Sequence, residues 1–161
     1  MDYKETYEKI LEEYRQVFER VDQQNMREFI DEVKAHDRIF LIGVGREGMA
    51  TRAFAMRLMH MGKEIHWIWD DTTPSIGEGD LLIATLGDGR AKEAGAMIYV
   101  VTGSPSGDTA KNVADKVFFV PAAVYRGTDD VVPSFQPMGN LFEQCLLILF
   151  DIIIMTIVDE T

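Results

Sequence analysis

Apolar and polar positions along the chain follow two different periods. Residues 2–35 place apolar side chains at helical spacing with charges between them, which predicts two helices before the first strand. Short continuous apolar runs predict five strands, one starting at residue 39 and four covering residues 64–69, 81–86, 96–101 and 117–120. Helical patterns follow at residues 49–61, 108–114 and 138–158. This alternation predicts an α/β domain over residues 1–161 with a doubly wound, mostly parallel sheet.

The connection between the third and fourth predicted strands is too short for a full helix. Parallel neighbours need a crossover of about a dozen residues or more, and only residues 87–95 are available here. Residues 91–95 have the composition of a last helical turn closed by Gly95. We therefore expect about one turn of helix at this crossover.

The predicted helix over residues 138–158 is apolar nearly all round, and such a helix is normally covered on every side. Its most apolar part, residues 146–158, is shorter than a membrane span and contains Asp151. We expect a buried helix at a subunit interface. The two N-terminal helices, within residues 1–35, either clamp the sheet or cross to another subunit.

The first strand ends in the pattern Gly43-x-Gly45-x-x-Gly48, directly before a helix. Such glycines either let the backbone approach a bound anion or pack the strand against the helix, and the pattern alone leaves both open. Asp70 and Asp71 follow the second strand at a spacing near that of a ribose-binding acid in dinucleotide folds, so NAD binding is a further alternative. The same residues are also common in turns.

Composition narrows the range of partners. The chain is 47% hydrophobic and 27% charged with a net charge of −11, which disfavours nucleic acid and anionic membrane surfaces. The single cysteine, Cys145, cannot form an internal disulfide and belongs to no metal-binding cluster. Residues 1–20 lack the apolar core of a secretory signal. We expect a cytoplasmic protein without a metal or cofactor.

Three segments resemble one known family. Residues 39–48 with the following AFAMRLMHMG, GDLLIA at 79–84 and PMGNLFEQ at 137–144 resemble the sugar isomerase (SIS) domain, and most closely 6-phospho-3-hexuloisomerases. The resemblance covers essentially the whole chain. It implies a flavodoxin-like three-layer sandwich with a five-stranded sheet, a tetramer with sites between subunits, and isomerisation of a ketohexose phosphate through an enediolate.

The resemblance also implies the acid–base residues. Glu143 stands where the family keeps its carboxylate base, and His60 stands where the related isomerases keep a histidine near the substrate. Each residue has a simpler interpretation. Glu143 can cap the start of its helix, and His60 can interact with the negative C-terminal end of the helix that contains it.

The phosphate-binding loops depart from the family pattern. Where the family's first loop has a serine after Gly-x-Gly-Arg, this chain has Glu47 next to a retained Arg46. The family's second loop reads Ser-x-Ser-Gly-Glu-Thr, whereas this chain has no hydroxyl at those places. The candidate substrate-binding residues are Gly43, Gly45, Arg46, Glu47, Gly87, Asp88, Gly89 and Arg90, with Leu86 and Ala91 flanking the second group. The carboxylates of Glu47 and Asp88 would repel a dianion, unless Arg46 and Arg90 offset them.

Three functions remain open from the sequence. The first is a diverged aldose–ketose type isomerase that acts on a sugar derivative with less dependence on phosphate. The second is an active sugar-phosphate isomerase in which Arg46 and Arg90 bind the phosphate through their bidentate guanidinium groups. The third is a non-catalytic regulatory or scaffold oligomer whose pocket is filled by the pairs Glu47–Arg90 or Arg46–Asp88. The expected ligand is a sugar or sugar phosphate, and the expected assembly is a homo-oligomer, as a tetramer.

Overall fold

The computed structural model of the chain describes residues 2–85 and 90–161, without the side chains of Arg90 and Ala91. The predicted elements are all present, with their ends shifted by a few residues. In chain order they are α1 Tyr3–Arg20, α2 Gln23–Ala35, β1 Arg38–Ile42, α3 Gly45–His60, β2 Glu64–Trp67, β3 Leu81–Ala84, α4 Arg90–Glu93, β4 Met97–Thr102, α5 Asp108–Asn112, β5 Lys116–Phe119 and α6 Asn140–Asp159.

The five strands form one sheet in the order β2-β1-β3-β4-β5. Each neighbouring pair is parallel, with Ile39 opposite Ile65 and Leu81, and Leu81 opposite Met97. From β1 the chain adds β2 on one side and β3 on the other, so the connections leave β1 and β3 in opposite directions. A crevice forms at such a point, between the carboxyl ends of β1 and β3. The predicted α/β fold with a five-stranded parallel sheet and helices on both sides is confirmed.

Local signals in the sequence explain where the first helices begin. The Asp2 carboxylate accepts the Glu5 N–H at 2.9 Å, and the Asp22 carboxylate accepts the N–H groups of Gln24 and Asn25. Both acidic residues satisfy backbone donors that a helix start leaves free. Helix α3 starts at Gly45, four residues before the predicted start at 49, because helical hydrogen bonding begins within the glycine turn, where the Gly48 N–H bonds the Val44 carbonyl at 2.9 Å.

The main core lies between one face of the sheet and the helices α2, α3 and α6. An aromatic cluster fills its centre, with Phe54 stacked on Phe150 at 4.2 Å between ring centroids and an interplanar angle of 7°. The cluster joins three helices to two strands, and all its members are almost fully buried: Phe29, Phe54, Tyr99, Phe118 and Phe150.

The opposite face of the sheet is covered mainly by short elements. Its buried residues are Phe40, Ile42, Leu82, Ala84, Ile98 and Val100. Ile68 and Ile76, from the segment after β2, pack on this face together with Val113 and Ala114 after α5. The predicted shortened crossover is confirmed, because α4 has four residues and Gly95 takes a positive φ of 85° after it.

Helix α6 is longer than the apolar stretch over residues 146–158. Its 20 residues are enough, by length and composition, to cross a membrane. Its packing is that of a core helix, since one side of it is buried against α1, α2 and α3. The other side leaves apolar side chains exposed, namely Leu147, Ile152, Met155 and Val158.

Candidate active site

The glycine turn after β1 brings the strand and helix α3 into direct backbone contact. A Cβ at Gly43 would lie 2.6 Å from the Thr85 Oγ1 and 2.9 Å from the Gly48 Cα, and a Cβ at Gly48 would lie 2.8 Å from the Gly43 carbonyl. Gly45 is exposed and takes a positive φ of 53°. Gly43 and Gly48 therefore have a packing reason, while Gly45 is required by the backbone conformation.

Helices α3 and α6 run parallel, so their N-terminal turns meet at the carboxyl edge of the sheet. The Arg46 Nη1 donates to the Asn140 Oδ1 at 2.7 Å, and the Arg46 Nε lies 3.3 Å from the Glu143 Oε2. Further along the same helices, Phe54 stacks on Phe150. The parallel arrangement thus joins residues that are almost a hundred positions apart in sequence.

The Glu143 carboxylate is held in a partly dry position. Its side chain is 19% exposed, and its Oε2 is buried from water. The contact with the Arg46 Nε is too poorly aligned to be a hydrogen bond, and no other donor among the described residues reaches this oxygen. A carboxylate in this state retains a free lone pair for a proton, which is what a general base needs.

The cavity beside Glu143 has a volume of about 300 Å³ and lies between α3 and α6. Besides Arg46 and Glu143 it is lined by Gln144, whose Oε1 is buried without a hydrogen-bond partner in the described part of the chain. The remaining lining is apolar, from Met49, Ala50, Ala53 and Leu147. The cavity therefore combines a small polar end with an apolar wall.

Glu47 lies in the first turn of α3, near both Glu143 and the end of β3. Burial, reinforced by the charge of Glu143, raises the pKa of the Glu47 carboxyl to about 7, although hydrogen bonds from the Thr85 side chain and the Val44 backbone oppose this. An acidic group with a raised pKa therefore lies near Glu143, and enzymes use groups of this kind for acid–base chemistry.

His60 lies at the opposite end of α3, in an exposed position. His60 lies thirteen positions after Glu47 along the helix, which corresponds to roughly 20 Å. Within one chain, His60 is therefore far from Glu143, although both are candidate catalytic residues.

The second glycine-rich loop lies outside the part of the chain that the structure describes. Leu86, Gly87, Asp88, Gly89 and the side chains of Arg90 and Ala91 lie outside the described residues. The same holds for the predicted pairs Glu47–Arg90 and Arg46–Asp88. The helix that follows this loop has a single turn, so it lacks the aligned peptide dipoles of a longer helix.

The acidic end of β2 has a partner within the chain. Asp70 lies 3.1 Å from the Arg52 Nη2, and the Arg52 guanidinium also stacks on the Trp67 ring at 4.2 Å. Within residues 2–85 and 90–161, no three His, Cys, Asp or Glu side chains form a group that could hold a metal ion.

Sequence reasoning missed Asn140, Thr85 and Gln144 as neighbours of the site. Asn140 and Gln144 lie within the PMGNLFEQ segment, so the resemblance of this segment to the family could have indicated both residues. Thr85 directly follows β3, and only the sheet order shows that it adjoins Gly43.

No protein-family model matches the chain. The 3-hexulose-6-phosphate isomerase of Bacillus subtilis (strain 168) is 30% identical over 161 residues, covering 94% of this chain and 86% of the relative. The enzyme of the same name from Mycobacterium gastri is 35% identical over 152 residues, covering 88% and 75%.

Solved structures give the same result for the fold. The crystal structure of a Methanococcus jannaschii protein, for which a molecular function of 3-hexulose-6-phosphate isomerase has been inferred, superposes with a TM-score of 0.80. It is 28% identical and covers 97% of this chain and 90% of its own. With these similarities covering 88–97% of this chain and 75–90% of the matched proteins, this protein belongs to the 3-hexulose-6-phosphate isomerase family.

Proposed function

We propose that this protein is a sugar-phosphate isomerase that moves a carbonyl group between adjacent carbons of a ketohexose phosphate. The observation that carries this proposal is the Glu143 carboxylate, which lines the cavity together with Arg46 and whose buried Oε2 has no hydrogen-bond partner among the described residues. Glu143 takes the proton from the carbon next to the carbonyl, and the resulting enediolate receives it back on the neighbouring carbon. Arg46 stabilises the negative charge that develops on oxygen.

The proposed site is completed by a second subunit. His60 lies too far from Glu143 in its own chain to act on the same substrate, so the His60 imidazole comes from a neighbouring copy and transfers protons at the substrate oxygens. Apolar surface supports this assembly. Met49 of α3 is exposed and lines the cavity together with Leu147 of α6, and α3 also exposes Met56 and Met59. We propose a homotetramer, and a cytoplasmic location, which the buried and unpaired Cys145 suits.

The phosphate of the substrate is proposed to bind at the glycine turn. Gly45 and the start of α3 offer backbone N–H groups and a positive helix end, and Arg46 adds a guanidinium. When the Glu47 carboxyl is ionised, it repels an anion at this place. Its pKa is raised to about 7, so a large part of it is protonated near neutral pH, and the protonated form does not repel the anion. Gly87, Asp88, Gly89 and Arg90 remain proposed as further substrate contacts.

The test is turnover of hexulose 6-phosphate by the purified protein, with the unphosphorylated hexulose as a second substrate. Glu143→Gln should lower kcat by about 10² to 10⁴ while the fold is retained. Asp159→Asn, an exposed carboxylate on the same helix, is the matched control and should retain activity. If the site is shared between subunits, the His60→Ala and Glu143→Gln proteins should each be inactive alone. Mixing their subunits should then restore activity.

Other outcomes identify the alternatives. A thermal shift with sugar phosphates but no turnover would indicate a non-catalytic, ligand-binding oligomer. Equal turnover of both hexuloses would indicate the diverged isomerase with little dependence on phosphate. Sedimentation of the wild-type protein as a monomer would contradict the shared site.

A further inference from the structure

A single carboxylate of helix α1, that of Glu13, contacts three consecutive residues shortly before α6. Glu13 accepts the Ser134 Oγ–H at 2.8 Å, the Phe135 N–H at 2.9 Å and the Gln136 Nε2–H at 2.9 Å. The Ser134 Oγ in turn accepts the Gln136 N–H at 3.0 Å. One side chain of α1 therefore fixes three consecutive residues more than a hundred positions later in the chain.

These three residues are followed at once by an unusual turn. Met138 and Gly139 both take positive φ values, 59° and 77°, and the Asn140 N–H bonds the Pro137 carbonyl at 3.1 Å. A non-glycine residue in the left-handed region persists only where its surroundings hold it there. The turn lies between the bonds of Glu13 on one side and the Arg46–Asn140 bond on the other.

The turn determines where α6 begins. Asn140 is the first residue of α6, and the Glu143 N–H bonds the Gly139 carbonyl at 3.3 Å. A displacement of the turn therefore displaces the first helical turn, which holds both Asn140 and Glu143.

We infer that Glu13 is a positioning residue of the candidate active site: its carboxylate holds the turn at residues 134–139 and thereby sets where the Glu143 carboxylate lies beside Arg46. The effect on the reaction rests on the proposed function. The effect on the conformation of the turn does not.

A carboxylate is the group that this position requires. Its two oxygens accept bonds from a hydroxyl, an amide N–H and a side-chain amide, and all three partners act as donors. Glutamine has one acceptor oxygen and an NH₂ group, which would face a donor. Glu13→Gln therefore keeps the size of the side chain but leaves at least one of the bonds unmade.

The rest of α1 has its own attachments, so losing the Glu13 bonds should not detach the helix. Val17 is fully buried in the main core, and the Arg20 Nη2 donates to the Asp130 carbonyl at 3.0 Å. The matched control is Glu12→Gln. The Glu12 contacts in the described part of the chain stay within α1, to Arg15 at 3.5 Å and Gln16 at 3.0 Å.

The experiment compares Glu13→Gln, Glu12→Gln and wild type by amide hydrogen exchange and by steady-state kinetics with hexulose 6-phosphate. In Glu13→Gln, exchange should be about tenfold faster or more at residues 134–143 and unchanged in β1, β3 and α2. The value of kcat should fall about ten- to hundredfold with little change in KM, because a displaced base affects the transition state more than binding. Glu12→Gln should match wild type in both measurements.

Three outcomes would overturn the inference. Unchanged exchange at residues 134–143 would show that Glu13 does not hold the turn, whether or not the protein is an isomerase. Faster local exchange with wild-type kcat would remove its role in positioning Glu143. Faster exchange throughout the chain would show a general loss of stability instead. If wild type has no isomerase activity, the proposed function fails, while the exchange data still decide whether Glu13 holds the turn.

Discussion

Arg46 and Glu143 form an ion pair between the first turns of two parallel helices, with the Arg46 Nε 3.3 Å from the Glu143 Oε2. The same guanidinium donates to the Asn140 Oδ1 at 2.7 Å, so it bridges two residues of α6. This pair lines the cavity and places the proposed base next to a fixed positive charge.

The first prediction concerns the bridging geometry of Arg46. Arg46→Lys keeps the charge but replaces a planar fork by a point charge that does not reach both partners at once. We expect kcat/KM to fall about ten- to hundredfold, while stability changes by less than about 1 kcal/mol because the Arg46 side chain is 56% exposed. Steady-state kinetics and thermal unfolding are the measurements.

The matched control is Arg52→Lys on the same helix. Arg52 is similarly exposed and contacts Asp70 away from the cavity. Equal losses of activity in both variants would show that the effect of Arg46→Lys is not specific to the site.

The second prediction is a pH dependence of stability caused by Glu47. Its folded-state pKa of about 7 lies above the ordinary 4.5, so between these values the folded state binds more protons than the unfolded state. The free energy of unfolding should therefore fall as pH rises from about 5 to 7.5. The full shift would correspond to about 3 kcal/mol, which partial exposure reduces to about 1–2 kcal/mol.

Denaturant titrations across this pH range check the second prediction. Glu47→Gln should remove the slope, and Glu12→Gln should retain it. A wild-type stability that is flat or rises over this range would contradict the assignment to Glu47.

The third prediction concerns Asp80, which is 3% exposed and binds Arg38 through two hydrogen bonds of 2.6 and 2.7 Å. Burial by itself would raise the pKa of the Asp80 carboxyl, but the Arg38 guanidinium and the Gly77 N–H lower it below its ordinary value. The stability that this carboxylate contributes is therefore present above pH 4 and is lost as pH falls further.

Asp80→Asn should destabilise the protein by about 2–3 kcal/mol at pH 7, since it leaves Arg38 without its charged partner. It should also make the decrease in stability below pH 4 shallower. The control is Asp37→Asn, because the Asp37 side chain is fully exposed. Denaturant unfolding at pH 3, 5 and 7 distinguishes the two variants, and equal stability of both would contradict the prediction.

The fourth prediction concerns the stacked pair of Phe54 and Phe150 that joins α3 to α6. Each change to alanine should cost about 3–5 kcal/mol, because it removes a buried ring from a packed core. The double variant should cost less than the sum of the single changes, with a coupling of about 1 kcal/mol. Tyr3→Ala, at a position that is 82% exposed, should change stability by less than about 0.5 kcal/mol. Strict additivity would show that the stacking itself contributes nothing.

The hydrophobic pattern by itself determined the secondary structure and the fold class. The five apolar runs predicted the five strands, and the short segment before Gly95 predicted the one-turn crossover, because strand and helix periods are local properties of the chain. The PMGNLFEQ segment likewise marked the region where α6 begins and Glu143 within it. Element ends shifted where a turn continues the helix, as at Gly45.

Only the tertiary structure decided which residues meet. Periodicity shows which face of a helix is apolar, but it does not show which other face covers it, so the contacts of Arg46 with Asn140 and Glu143 were not predictable. The raised pKa of Glu47 depends on burial against Glu143, and the contact of Glu13 with residues 134–136 spans more than 120 positions. Both arise because folding brings distant segments together, whereas sequence patterns encode mainly local preferences.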